Sequence, residues 1–156
     1  IENQYILATE TLALLARAAA RGVDVIVVVP YRPDPNLVLY PKELMAETRA
    51  ALDALAGEKR FGLFGLLRPG NDREPIYVHA KVMIVDDELL SIGSANLWPP
   101  SYNRDSELAL CVWDPRLART TRGRLWAEHL GDAQDAPRPY RTVAGHCCRN
   151  KFQPLP

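Results

Sequence analysis

A three-layer α/β/α sandwich around a mixed, largely buried β-sheet is the fold class this sequence predicts, and three observations carry it. Apolar, β-branched runs alternate with helical stretches, the signature of parallel crossovers. The run Val23-Asp-Val-Ile-Val-Val-Val29 lies between Gly22 and Pro30 and is apolar on both alternating sides, as a strand covered on both faces requires. Two later strands follow each other across a turn too short for a crossover, so the sheet must also contain antiparallel pairs.

In chain order, Ile1 to Tyr5 reads as a strand. Thr11 to Arg21, rich in Leu and Ala, reads as a helix stopped by Gly22. After the Val23–Val29 strand, Pro41 opens a helix running to Ala56. It carries Leu44, Thr48, Ala51, Leu52 and Leu55 on one stripe and closes at Gly57. Phe61 to Leu67 is the next strand. Tyr77 to Ile84 and Leu89 to Ile92 form a hairpin about Asp86, and Ser106 to Trp113 supplies a sixth strand whose Leu108, Leu110 and Val112 are expected to face the core. Asp114-Pro115 begins a third helix that stops near Gly131.

Residues 1–131 are thus expected to form one domain, with 132–156 as a Pro-rich extension lacking periodicity. The 156 residues are enough for one sizeable core, and no apolar run approaches a membrane span. Nineteen basic residues balance nineteen acidic ones, so no global electrostatic case for nucleic-acid binding exists and nucleic acid is the disfavoured partner. Three cysteines, Cys111 on an expected buried strand and Cys147-Cys148 in the extension, suggest neither a disulfide framework nor a zinc site. No Cys/His/Asp cluster has ligand spacing, so no metal or cofactor is expected. Localisation is not legible.

The chemistry concentrates in Tyr77-Val-His-Ala-Lys-Val-Met-Ile-Val-Asp-Asp87 and the Gly93-Ser-Ala-Asn96 segment after it. Val78, Ala80, Val82 and Ile84 alternate with Tyr77, His79 and Lys81, the two-residue period of a half-buried strand. On that geometry His79 and Lys81 stand about 7 Å apart on one face, close enough to grip one phosphate group. An imidazole attacks or protonates, and an ammonium neutralises charge. Where the second motif strand ends, Gly93 admits close backbone approach while Ser94 and Asn96 offer neutral hydrogen-bond donors suited to phosphate oxygens.

These residues, His-x-Lys-x4-Asp at His79, Lys81 and Asp86 and then Gly-Ser-x-Asn at Gly93, Ser94 and Asn96, resemble the repeated signature of the phospholipase D superfamily. The resemblance runs over about residues 1 to 130 and includes Glu107, placed like the family's acid after the Gly-Ser-x-Asn segment. It also includes Ile1-Glu-Asn-Gln-Tyr5, similar to the segment ahead of the family's second motif. It implies a metal-independent phosphodiesterase with His79 as one of two catalytic histidines, Lys81 and Asp86 beside it, and Glu107 holding the imidazole in one tautomer. Asp86, at a turn, is also open to a purely structural role, fixing the hairpin or an ion pair.

In-line displacement needs a nucleophile and an acid on opposite sides of phosphorus, and the two other histidines, His129 and His146, have no lysine two residues on. The chain thus looks like the carboxyl-terminal half of an active site. A second motif-bearing half, upstream polypeptide or second protomer, is the implied partner, and Ile1 is expected to be a boundary left by processing or cloning. The implied substrate is a phospholipid or other phosphodiester. Alternatives are a nuclease completed by homodimerisation, a cardiolipin-synthesis-type phosphatidyltransferase, or an inactive scaffold fragment. Trp98, Pro99, Pro100 and Tyr102 form a rim where many relatives carry basic residues; peripheral contact with a lipid and a merely rigid loop are equal readings of it.

Overall fold

The computed structural model describes residues 1–32, 34–35, 37, 41–68, 74–130 and 152–154. Its elements in chain order are β1 (Glu2–Asn3), α1 (Thr9–Ala20), β2 (Val25–Val29), α2 (Lys42–Ala56), β3 (Phe61–Leu66), β4 (Lys81–Val85), β5 (Leu89–Gly93), α3 (Pro99–Asn103), β6 (Ala109–Trp113), α4 (Pro115–Leu130) and β7 (Phe152–Pro154). They build one mixed sheet in the order β6-β5-β4-β1-β2-β3-β7. β1, β2 and β3 run parallel, and the remaining pairs are antiparallel. No helix among the described residues is long and apolar enough to cross a membrane.

Helices lie on both faces, as expected. On one, Val25, Val27 and Val29 meet Leu12 of α1 and Leu55 of α2; on the other, Val28, Phe64 and Leu66 meet Leu130 of α4. Gly22 takes a φ of 95°, the left-handed conformation that ends α1 cheaply only with glycine. Thr48 is buried on the α2 stripe because its hydroxyl donates to the Leu7 carbonyl at 3.1 Å. Asp114 caps α4, accepting from the Arg116 and Leu117 amides at 2.9 and 3.1 Å.

Burial is uneven. Leu108 and Leu110, expected in the core, are 82% and 66% exposed, and Cys111 and Trp113 on the opposite face are exposed as well. β6 is an edge strand, and α4 packs chiefly against β4 and β5. Among the described residues no helix lies on the other face of β4–β6; α1 and α2 lie over β2 and β3.

Two further expectations change. Tyr77 to Ala80 keep their alternation but form no ladder, so β4 begins at Lys81, and α3 occupies the Trp98–Tyr102 rim read as a loop. Of the 132–156 extension only Phe152–Pro154 is described, as β7 against β3; the rest, with Cys147, Cys148 and His146, lies outside the described residues.

Candidate active site

The antiparallel ladder brings the start of β4, the end of β5 and the start of β6 to one end of the sheet, since Val82 pairs with Ile92 and Gly93 with Ala109. His79 and Lys81, Gly93 to Asn96 and Glu107 therefore meet where the parallel strand β1 also ends. The sequence signature is split among three segments 11 to 28 positions apart, and the β4–β5–β6 ladder closes it.

Lys81 is half-buried and fixed by two acceptors, the Gln4 side-chain oxygen at 3.0 Å and the His79 carbonyl at 2.9 Å. An ammonium has three donors, which leaves one for an anion. Burial lowers its pKa from the ordinary value, and the Glu107 carboxylate partly restores it. The His79 imidazole is exposed and stacks on the Tyr77 ring with centroids 6.2 Å apart.

Glu107 binds the phosphate-loop side. One carboxylate oxygen accepts from the Ser94 hydroxyl and the other from the buried Ser101 hydroxyl at 2.5 Å. Those two hydrogen bonds, with the charge of Lys81, hold its carboxyl below the usual range. In this structure the carboxylate anchors the loop, and among the described residues no hydrogen bond joins Glu107 to His79. Ser101 also receives the Asn96 amide at 3.1 Å and the Trp98 indole N–H at 2.9 Å. The rim is thus a brace: Trp98 packs on Tyr5 at 4.6 Å, and Tyr102 hydrogen-bonds Thr11. The side-chain oxygen of Asn96 is buried without a hydrogen-bond partner, an acceptor held at the site.

Gly93 answers a packing demand: a Cβ there would come within 2.6 Å of the carbonyl of Leu108, the residue just before β6. Asp86 is not brought to this group. It lies with Asp87 in the three-residue β4–β5 turn at the opposite end of β4, both at positive φ (53° and 58°), a conformation that aspartate tolerates better than most side chains. Asp87 carries the ion pair there, bidentate with Arg122 at 2.5 and 2.8 Å. Of the two readings of Asp86, its position favours the hairpin-fixing one.

Sequence alone leaves Asn3 and Gln4 open between polar groups near the site and solvated residues at a chain end, and it gives no role to Tyr77 and Asp34. Asn3 is buried and accepts from the Tyr5 and Leu97 amides at 3.1 and 3.3 Å, while its own amide donates to the Ala95 carbonyl at 3.4 Å, pinning the 93–97 segment to β1. Gln4 joins Lys81 to Tyr77, donating to the Tyr77 hydroxyl at 2.6 Å, and both Tyr77 and Tyr5 donate to Asp34. The available signal was three polar residues inside the apolar frame Ile1 to Ile6, a poor pattern for a strand unless those side chains have partners. His129, assigned no chemistry, is buried against Glu2 at 2.5 Å, away from the site.

The family model described as "Cardiolipin synthase, PLD-like domain" matches residues 1–127. Cardiolipin synthase A of Pseudomonas entomophila (strain L48) is 34% identical over 119 residues, 76% of this chain and 22% of that protein. Phospholipase D alpha 1 of Cynara cardunculus is 45% identical over 78 residues, 42% of this chain and 10% of that one. The chain thus spans about a fifth or less of the length of these relatives. Among solved structures, the phospholipase D family member Nuc of Salmonella typhimurium superposes with a TM-score of 0.60 at 24% identity, covering 88% of this chain and 80% of that one. NucT of Helicobacter pylori gives 0.60 at 20%, covering 85% and 77%. The match over residues 1–127 and the shared fold establish that the chain belongs to the phospholipase D-like family that includes cardiolipin synthase.

Proposed function

We propose that the chain is one catalytic half of a phospholipase D-type phosphodiesterase that hydrolyses or transfers phosphatidyl groups. The observation that carries this reading is the convergence of His79, Lys81, Ser94, Asn96 and Glu107 on one end of the sheet, with a single motif histidine among them. A histidine on the second half attacks phosphorus; the bond to the leaving alcohol breaks, and His79 supplies the proton that alcohol takes. Water or an alcohol then attacks the phosphohistidine, returns a proton to His79, and breaks the P–N bond. Lys81 and the Ser94–Asn96 segment neutralise and orient the phosphoryl oxygens in both steps. Glu107 keeps Ser94 in place and supports the ammonium of Lys81.

The uncovered face of β4–β6 supports a second half as the partner. Met83, Val85 and Trp113 form an exposed apolar surface on the side of the sheet that also carries Lys81. The relatives named cardiolipin synthase favour phosphatidyl transfer, and the balanced charge gives no support to a nucleic-acid substrate. The test is turnover of a soluble phosphodiester in EDTA by the chain joined to its upstream half. Turnover that His79→Ala removes without changing the melt is expected. Unchanged turnover in His79→Ala, or a stoichiometric need for a divalent ion, overturns the reading.

A further inference from the structure

His79 lies two residues ahead of β4, outside the ladder that fixes Lys81, and the side chain stacked on its ring is that of Tyr77. In extended backbone, side chains two residues apart share a side. With Val78 buried in the core between them, Tyr77 and His79 project together, their rings 6.2 Å apart and 21° from parallel. Tyr77 is itself clamped: its hydroxyl donates to Asp34, 43 positions away, and accepts from the Gln4 amide at 2.6 Å. The residue is 49% exposed and gives little to the core, so packing does not account for a hydroxyl held from both sides.

The donors of this network run one way. The Tyr5 and Tyr77 hydroxyls both give their protons to the Asp34 carboxylate, which leaves their oxygens to accept the two Gln4 amide protons, at 3.1 and 2.6 Å. The Gln4 carbonyl is thereby turned toward Lys81 and takes one ammonium proton at 3.0 Å. Burial first, then the Asp34 carboxylate, raises the pKa of both phenols and keeps them donors. Asp34 and Tyr5 are buried, and Trp98 packs on Tyr5, so the far end of the network is anchored.

Resting on the phosphodiesterase reading, we infer that Tyr77 is the positioning residue of the proton donor: its ring holds the His79 imidazole, and Asp34 and Gln4 hold that ring in register with Lys81. As the P–O bond breaks, its electron pair goes to the leaving oxygen. An alkoxide needs the His79 proton there, whereas p-nitrophenolate leaves without one. Misplacing the imidazole therefore penalises the alkyl ester selectively, while loss of positive charge at the phosphate penalises both.

The test compares soluble short-chain phosphatidyl esters of ethanol and of p-nitrophenol in the assembled enzyme, through the kcat/KM of each. Tyr77→Leu should lose ~10²-fold on the ethyl ester and about tenfold less than that on the nitrophenyl ester, the scale of a 1 Å misplacement at a proton-transfer step. Tyr77→Phe, which keeps the ring and loses the clamp, should fall between Tyr77→Leu and the parent with the same bias, and it carries the comparison if the melt shows Tyr77→Leu unfolded. Lys81→Ala should lose the same factor on both esters. A bias in the Tyr77 variants no larger than that of Lys81→Ala, as a merely structural role would give, overturns the inference, and so does ethyl-ester turnover at the parent level.

A second measurement needs no turnover. In the 156-residue chain, cross-relaxation between the Tyr77 and His79 ring protons should be present in the parent and fade in Asp34→Ala, which removes the distant anchor. Its absence in the folded parent, or its persistence in Asp34→Ala, overturns the clamp. No turnover in the parent enzyme with this ring contact intact would sink the phosphodiesterase reading and leave the clamp on the imidazole standing.

Discussion

The two halves of the sheet are built alike and buried differently. β2 and β3 are closed on both faces by α1, α2 and α4, and Val27 and Leu55 have no exposed surface at all. β4, β5 and β6 are equally apolar in sequence, yet Ile92, Leu110 and Trp113 stand in solvent. Apolar strands that no helix among the described residues covers are suited to a partner, and here they adjoin the candidate site. The closed half contributes Asn3 and Gln4, which hold the 93–97 segment and Lys81; the open half contributes His79, Lys81, Ser94 and Glu107, on which the proposed chemistry rests.

The largest expected effect tests the closed half. Leu55→Ala should cost about 2–5 kcal/mol in chemical denaturation, as truncation of a fully buried leucine does. A cost below ~1 kcal/mol would show that this half is not the stabilising core. Next, Lys81→Ala should lower turnover of the assembled enzyme by ~10² to 10³-fold, the usual loss of one preorganised charge or donor, with no change in the melt. A large loss of stability instead would make Lys81 a structural residue.

Asp87→Asn probes the hairpin end of the open half. Its carboxyl is held below its ordinary value of 3.8, chiefly by hydrogen bonding to Arg122. The sign follows from that direction. The stabilisation is complete above 3.8 and is lost as pH falls through the lower folded value, so the variant should be about 2 kcal/mol less stable at pH 7 and nearly equal to the parent at strongly acid pH. A difference independent of pH would mean that the ion pair is not its source. Smallest of all, Trp113→Ser should change the stability of the isolated chain by less than ~0.5 kcal/mol, being a surface substitution there, while weakening association with the second half. A large loss in the isolated chain would contradict the open face.

What the sequence made legible follows the range of the interactions involved. The Val25–Val29 strand, the α2 stripe and the His79/Lys81 alternation are local patterns, and they stand in the structure. The exposure of Leu108 and Leu110 was illegible because an apolar edge strand has the same pattern as an apolar central one; only the path of α4 separates them. α3 was signalled by Pro99-Pro100 at a helix start and was taken for a stiff loop. The links from Asn3 to Ala95, Gln4 to Tyr77 and Tyr5 to Asp34 join residues 92, 73 and 29 positions apart, and no local period encodes them. Glu107 was found by its place in a family pattern, while its partners Ser94 and Ser101 emerged only from the folded loop.

The central claim is that this chain holds half of a two-histidine site. Its most direct test is the mass of the particle in solution measured alongside turnover of a soluble phosphodiester, for the chain alone and after addition of its upstream half. The account predicts a folded chain with almost no turnover alone, and turnover that appears with the second half and is lost again in His79→Ala. Full activity from a strict monomer of the chain would contradict it, and full activity from a homodimer would replace the upstream half with a second copy.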